Sequence, residues 1–239
     1  MLIKNINLKN ISVSDNTGIT TGNNMLLYLD AANTSSLSGA GATTWYDLSG
    51  RGWNATGFTG MTYGSSPSPY ENFNGSGYAT FASGVYNATY TGKTVFVAAN
   101  CSGISTNTFR CMLGNGGTRN FNFYLYNNSS GQNCLHFSPG GNSGVISNPI
   151  GYTTGNWGTF AATQDTSNNY SFYYNGQLVN SMAGGAGSFS QYTAGQTERI
   201  GAGDNYWYGP ISFVTVYGST LSANQILMMH NAIRGRYGL

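Results

Sequence analysis

Seven carboxylates, Asp15, Asp30, Asp47, Glu71, Asp165, Glu198 and Asp204, are the acidic groups available for catalysis in this chain. Cleaving a glycosidic bond takes two of them, held roughly 5–5.5 Å apart in the retaining case. On one strand that requires acids two or four residues apart, because alternate side chains share a face. The nearest two here, Glu198 and Asp204, are separated by the Gly201-Ala202-Gly203 turn, so only acids from different strands remain to form a pair. The two histidines, His136 and His230, have no metal-ligand spacing to each other or to a cysteine. His136, in Cys134-Leu135-His136-Phe137, reads as a half-buried strand residue, and His230 as a helix-surface or packed one. Cys101, Cys111 and Cys134 cannot all pair and include no Cys-x-x-Cys, so three reduced, largely buried thiols are expected. No Gly-x-Ser-x-Gly elbow supports a serine nucleophile. The expectation is a protein that is not an enzyme.

Aromatic groups offer a different chemistry, that of recognition. Asp204-Asn205-Tyr206-Trp207-Tyr208-Gly209 sets three consecutive rings in a loop before an apolar strand, and Trp53 lies beside Arg51 and Asn54 in another loop. Such faces give large contact area at low entropic cost, suited to stacking on a sugar ring or anchoring a partner. Trp53, Tyr206, Trp207 and Tyr208 are therefore the candidate ligand-binding residues. The competing reading is packing, since at the start of a strand at least one of the three consecutive rings must turn inward.

The elements that would position these groups are short strands. Of 239 residues, 40% are hydrophobic and 14% aromatic, enough for a core between two sheets, while charged residues make up only 7%. Solubility then rests on Gly, Ser, Thr and Asn in the turns. Residues 1–24 differ from the rest and read as an arm or docking segment, with an edge strand as the alternative, followed by one domain over 25–239. Apolar or alternating runs bounded by turn residues predict strands at 25–29, 77–82, 93–99, 109–113, 121–126, 133–137, 157–163, 170–174, 177–180, 197–201 and 210–217. Asn175-Gly176 supplies the positive φ angles of a type I′ hairpin. Residues 50–76 and 138–156 read as loop-rich. Ser222 with Gln225 forms a capping box, and Ile226, Leu227, Met229, His230 and Ile233 continue a short C-terminal helix. The N-terminus has no continuous apolar run of a signal peptide, and no stretch reaches the roughly 20 apolar residues of a membrane span. The net charge of +2 is spread over dispersed basic residues, which leaves no phosphate-tracking stripe.

Several segments in order resemble the concanavalin A-like superfamily, in particular the laminin G-like jelly rolls of viral and bacterial surface proteins. They are Leu26-Leu27-Tyr28-Leu29-Asp30-Ala31, Thr44-Trp45-Tyr46-Asp47-Leu48-Ser49-Gly50-Arg51-Gly52-Trp53-Asn54-Ala55, Thr94-Val95-Phe96-Val97-Ala98, the block from Trp157 to Val179, and Arg199-Ile200-Gly201-Ala202-Gly203 leading to Gly209–Tyr217 and Leu221-Ser222. The resemblance implies an all-β, antiparallel two-sheet jelly-roll sandwich with the arm before it and the helix after it. It places ligands on the concave sheet and its rim loops. Asp47 and Ser222 have structural uses first, as a turn cap and a helix cap. The family often holds one Ca²⁺ at a rim, for which Asp47, Asp165 and Asp204 are the loop acids. Isolated acids make poor calcium cages, so no cofactor or metal is expected. By analogy with the family, the leading expectation is a bacteriophage structural protein made in the host cytoplasm and displayed on the virion surface, as a head decoration or fibre protein, aiding adhesion to glycans. The alternatives are a carbohydrate-binding adhesin or tail-fibre receptor-binding domain and, with least weight, a glycoside hydrolase. Expected partners are other virion proteins such as the major capsid protein, host or mucus glycans, and further copies of the chain as a homo-oligomer, with neither nucleic acid nor membrane.

Overall fold

The protein is represented by a computed structural model that describes residues 24–81, 85, 92–115, 121–138, 144–183 and 197–239. Apolar residues alternate along most of its strands, and each strand turns its apolar half toward the same interior. One layer is formed by β1 (Met25–Asp30), β5 (Lys93–Asn100), β10 (Trp157–Gln164), β11 (Asn169–Tyr174), β12 (Gln177–Ala183) and β14 (Tyr208–Tyr217), in the order β12-β11-β10-β5-β14-β1. The second contains β6 (Thr108–Asn115), β7 (Asn122–Asn127), β8 (Asn133–Ser138), β9 (Val145–Ile146) and β13 (Glu198–Ile200), in the order β13-β6-β7-β8-β9. All the pairings are antiparallel.

The two layers are one curled sheet because β4 (Tyr70–Phe81) belongs to both. Its first half pairs with β14 (Ile211↔Glu71 to Tyr208↔Asn74) and its second with β13 (Ile200↔Ala79 to Glu198↔Phe81). β3 (Ala55–Gly64) runs along its length, with β2 (Thr44–Trp45) beyond it. This corrects the loop-rich reading of 50–76. The ladder of β3 carries shifts between Thr56 and Thr59 and between Thr59 and Met61, so the two-residue period that marks a strand is broken twice. At that crossing Gly77 lies so close to the Gly60 carbonyl that a Cβ would sit 2.3 Å from its oxygen. Only glycine allows the approach. The other expected strands are present, and among the described residues of 139–156 the only strand is the two-residue β9.

Between the layers Leu27, Leu29, Val95, Val97, Phe160, Phe172, Val214 and Val216 meet Phe73, Ala79, Leu113, Phe123, Leu125, Leu135 and Phe137, all at 5% exposure or less. A second apolar cluster covers the outward face of the first layer. There α1 (Ala223–Ile233) lays Ile226, Met229 and Ile233 on Phe96, Phe213 and Tyr217. The expected capping box is present: the Gln225 amide donates to Ser222 Oγ at 3.3 Å. The chain end is then fastened by the Arg236–Asp30 ion pair at 2.8 Å and by Tyr237, stacked on Trp157 and donating to Ser212 Oγ. Asn175 (φ 47°) and Gly176 (φ 74°) turn the β11–β12 hairpin as their types require.

Residues 1–23 of the expected arm lie outside the described residues, and Asn24 already joins the sheet through a bond from the Gly218 amide to its carbonyl at 2.8 Å. No helix among the described residues is long and apolar enough to cross a membrane.

Candidate ligand-binding site

The four rings singled out from the sequence do not form one platform. Trp207 is a core residue with no exposed surface, its indole nitrogen donating to the Pro210 carbonyl at 3.4 Å, so it is unavailable to a ligand. Trp207 as a candidate ligand-binding residue is thereby corrected: as expected of at least one of the three rings, alternation drives the middle one inward and its neighbours outward. Tyr206 is 36% exposed and Tyr208 42%. Tyr208 stands beside Arg110, whose guanidinium carbon is 5.9 Å from its ring centroid. Trp53 is half-buried against the interlayer core, with Arg51 over its ring at 5.7 Å and its amide donating to Asp47.

Tyr206 belongs instead to a larger surface, the outward face of β13, β6, β7 and β8. Two aromatic rows are set there by register. Phe109 lies opposite Tyr126, and Tyr124 lies opposite His136, which in turn pairs with the exposed Ile146. Cross-strand neighbours stand about 4.5–5.5 Å apart, so these rings must touch. Phe109 and Tyr126 stack with centroids 4.4 Å apart, Phe109 meets His136 edge-on at 5.5 Å, and Tyr124 lies 5.5 Å from His136.

The surface continues toward β13 and the turn after it. Gly201-Ala202-Gly203 and a bridge between Ala202 and Tyr206 fold that turn down onto β6 and β7. Gly203 is needed for the contact, since a Cβ there would lie 2.6 Å from Asn122 Oδ1 and 2.8 Å from Cys111 Sγ. The Tyr124 hydroxyl reaches Asp204 Oδ2 at 3.5 Å. Beyond it Arg199 lies over the Tyr78 ring at 4.8 Å, and Tyr78 is 6.4 Å from Tyr206. The result is a row of partly exposed rings interrupted by the buried Tyr124 and edged by a guanidinium and a carboxylate. The 201–206 turn lies over Tyr124 and Gly144 lies against the His136 ring, which leaves Phe109 and Tyr126 at one end and Tyr206 and Tyr78 at the other more open.

Its electrostatics suit binding rather than bond-breaking. Burial pushes His136 down to about 4, so the ring is neutral at pH 7, and burial pushes the Cys111 thiol well up, away from a reactive thiolate. Asp204 is the one carboxylate on this face among the described residues. The remaining described acids have other occupations. Asp47 accepts from the amides of Tyr28, Ser49 and Trp53, and Asp165 from those of Ser167 and Asn169. Asp30 pairs with Arg236, Glu198 accepts from the Val85 amide, and Glu71 points into the apolar interior. No group of three metal-ligating side chains exists among the described residues, and Asp47, Asp165 and Asp204 do not converge as a calcium site would require. His230 is packed, its Nδ1 2.9 Å from Thr159 Oγ1, and the three cysteines are free and buried.

Phe109, Tyr124, Tyr126, His136, Arg199 and Tyr78 were not singled out from the sequence as ligand-binding residues. The usable signal was Tyr124 and Tyr126, two apart within Asn122-Phe123-Tyr124-Leu125-Tyr126-Asn127, with polar-capable rings on one face and Phe123 and Leu125 on the other.

A curled two-layer jelly roll, closed by a helix on one outer face and open and aromatic on the other, defines a lectin-like domain. A laminin G model described as "Concanavalin A-like lectin/glucanases superfamily" matches residues 62–227, and the chain belongs to that superfamily. By sequence, no curated protein matches it. Among solved structures it is similar to botulinum neurotoxin type C, whose cell entry is described as dependent upon interaction with two ganglioside molecules. That match has a TM-score of 0.64 at 12% identity, over 87% of this chain and 51% of that one. It is similar to domain 4 of AbnA, a GH43 extracellular arabinanase from Geobacillus stearothermophilus in complex with arabinotriose (0.63, 17% identity, 86% of this chain, 98% of that one). The binding domain of botulinum neurotoxin DC in complex with rat synaptotagmin II also matches (0.63, 14%, 88% and 52%). The chain spans about half the length of the toxin chains it matches. At these identities the likeness is one of fold.

Proposed function

We propose that this chain is a glycan-binding module that holds sugar on the open face of its second layer and catalyses no reaction on it. The observation that carries the reading is the set of partly exposed rings Tyr126, Phe109, His136, Tyr206 and Tyr78 on one face around the buried Tyr124, edged by Arg199 and Asp204. Flat rings take the C–H faces of sugars, while the polar edge takes hydroxyls. Neighbours of the same fold are described with gangliosides and with arabinotriose, which supports the ligand class. A single carboxylate on the face supports binding over hydrolysis, which needs two.

The test is a glycan array followed by titration, with and without calcium. Tyr126→Ala and Tyr206→Ala each should weaken binding about tenfold or more, the loss of roughly 1.4 kcal/mol of stacking. Tyr208→Ala and Trp53→Ala should leave affinity within about twofold, because those rings lie outside that set. Calcium should make no difference. Absence of binding to every glycan, or sugar release abolished by Asp204→Asn, would overturn the reading.

Display on a bacteriophage particle, as a head decoration or fibre module, is the setting we propose for this binding. It is supported by the 7% charged composition and by three thiols buried away from oxidants. Labelled antibody against the chain should decorate virions of its source particle, and unlabelled virions would end the proposal.

A further inference from the structure

Three polar side chains are buried together at one end of the interlayer core, far from an ordinary place for charge. Lys93 is 2% exposed, Glu198 and Asn115 are not exposed at all. Lys93 occupies an inward position of β5, in step with Val95, Val97 and Ala99, and so points at the opposite layer. In that layer Glu198 of β13 and Asn115 of β6 are directly paired. On the other side of Asn115 comes Phe121, one step beyond the Gly114↔Asn122 pair. Glu198, Asn115 and Phe121 thus form a row across three neighbouring chain segments. Lys93 engages both ends of that row: it is electrostatically coupled to Glu198, and its Nζ lies 5.8 Å from the Phe121 ring centroid. Lys93 thus faces the row in which Asn115 is the middle residue. Among the described residues, neither the nitrogen nor the oxygen of the Asn115 amide has a hydrogen-bond partner.

We propose that Lys93 and Asn115 are the two ends of an intramolecular isopeptide cross-link between the layers, formed by the chain itself with Glu198 as proton carrier. Glu198 takes a proton from the Lys93 ammonium, leaving a neutral amine. Nζ attacks Cγ of Asn115, the new C–N bond forms, and the protonated Glu198 returns its proton to Nδ2. The Cγ–Nδ2 bond breaks, one ammonia leaves, and the second proton of Nζ passes to Glu198, which ends protonated. No oxidant or co-reactant enters, and atoms and charge balance. The site favours each step: burial holds Lys93 down to about 8, raising the share of free amine, and water is excluded from the apolar surroundings of Phe81, Val85 and Phe121. An unpartnered buried carboxamide is costly in the unlinked state, and conversion to a secondary amide reduces its N–H donors from two to one. The cross-link is independent of what the open face binds.

Peptide mapping by mass spectrometry of the purified full chain decides the matter. The expected result is one branched peptide joining the segments that carry Lys93 and Asn115, lighter by one ammonia than their sum, with no tryptic cleavage after Lys93. Glu198→Gln, which keeps the side-chain shape, should yield the two linear peptides. Linear peptides from the unaltered chain overturn the proposal. So does an ammonia loss that maps to a succinimide at Asn175-Gly176 or to a Lys93–Gln164 link, Gln164 being the cross-strand neighbour of Lys93. Should Glu198→Gln fail to fold, the map of the unaltered chain still settles the question.

Discussion

Glu71 shows how one side chain can set the pH response of the molecule. It occupies a position on β4 between Tyr63 and Ile211, is 3% exposed, and burial pushes its carboxyl up to about 7. A carboxyl whose folded value lies above its unfolded one favours folding in its protonated form. Stability from this residue is therefore full at low pH and is lost as pH rises from about 4.5 to about 7. Glu71→Gln should be near neutral at pH 4 and stabilising by about 2 kcal/mol at pH 8, read from thermal melts across pH. His136 acts in the opposite sense. Its folded value lies below the ordinary 6.5, so the unfolded chain takes up the proton first and stability falls as pH drops from 6.5 toward about 4. His136→Phe should flatten that limb of the stability curve. Neither shift could be read from the sequence, where Glu71 sits in a stretch that looks like loop and His136 in an ordinary alternating strand.

Elements were legible in proportion to how local their causes are. The helix α1 depends on Ser222, Gln225 and a repeating apolar face, all within a dozen residues, and it stands where they put it. Ser222→Ala should cost about 1 kcal/mol by removing the cap, measured by denaturant unfolding. The β11–β12 hairpin depends on Asn175-Gly176 and is equally local. Gly176→Ala meets two penalties there, a positive φ of 74° and a Cβ 2.9 Å from that of His230. It should destabilise by about 2 kcal/mol or more, with Asn at that position recovering part of the loss because it tolerates positive φ. β3 and the first half of β4 were not legible, since Thr, Asn, Ser and Gly fill them and two bulges interrupt the alternation. The first half of β4 is held by pairing with β14, more than a hundred residues away in sequence, and β3 by pairing with β4 in turn.

At the scale of the whole molecule, the two outer faces of the curled sheet have opposite fates. The first layer's face carries Tyr28, Phe96, Phe213 and Tyr217 and is closed by α1 and Tyr237. Truncating the chain before Ser222 should expose these rings together, giving a protein that binds hydrophobic dye and self-associates in light scattering. The second layer's face keeps its rings partly open and is where we place the ligand.

By itself the sequence determined the strand-rich class, the hairpin turn, the capped helix and the buried thiols, because each follows from short-range periodicity or from one residue's conformational preference. Tertiary structure alone decided which rings share a surface. Tyr78, Phe109, Tyr124, Tyr126, His136, Arg199 and Tyr206 come from six segments, and only antiparallel register and the fold of the 201–206 turn bring them side by side. The same long-range pairing sends Trp207 inward and sets Lys93, Asn115 and Glu198 at one end of the core. Contacts of that kind depend on how strands distant in the chain align, which no local pattern encodes.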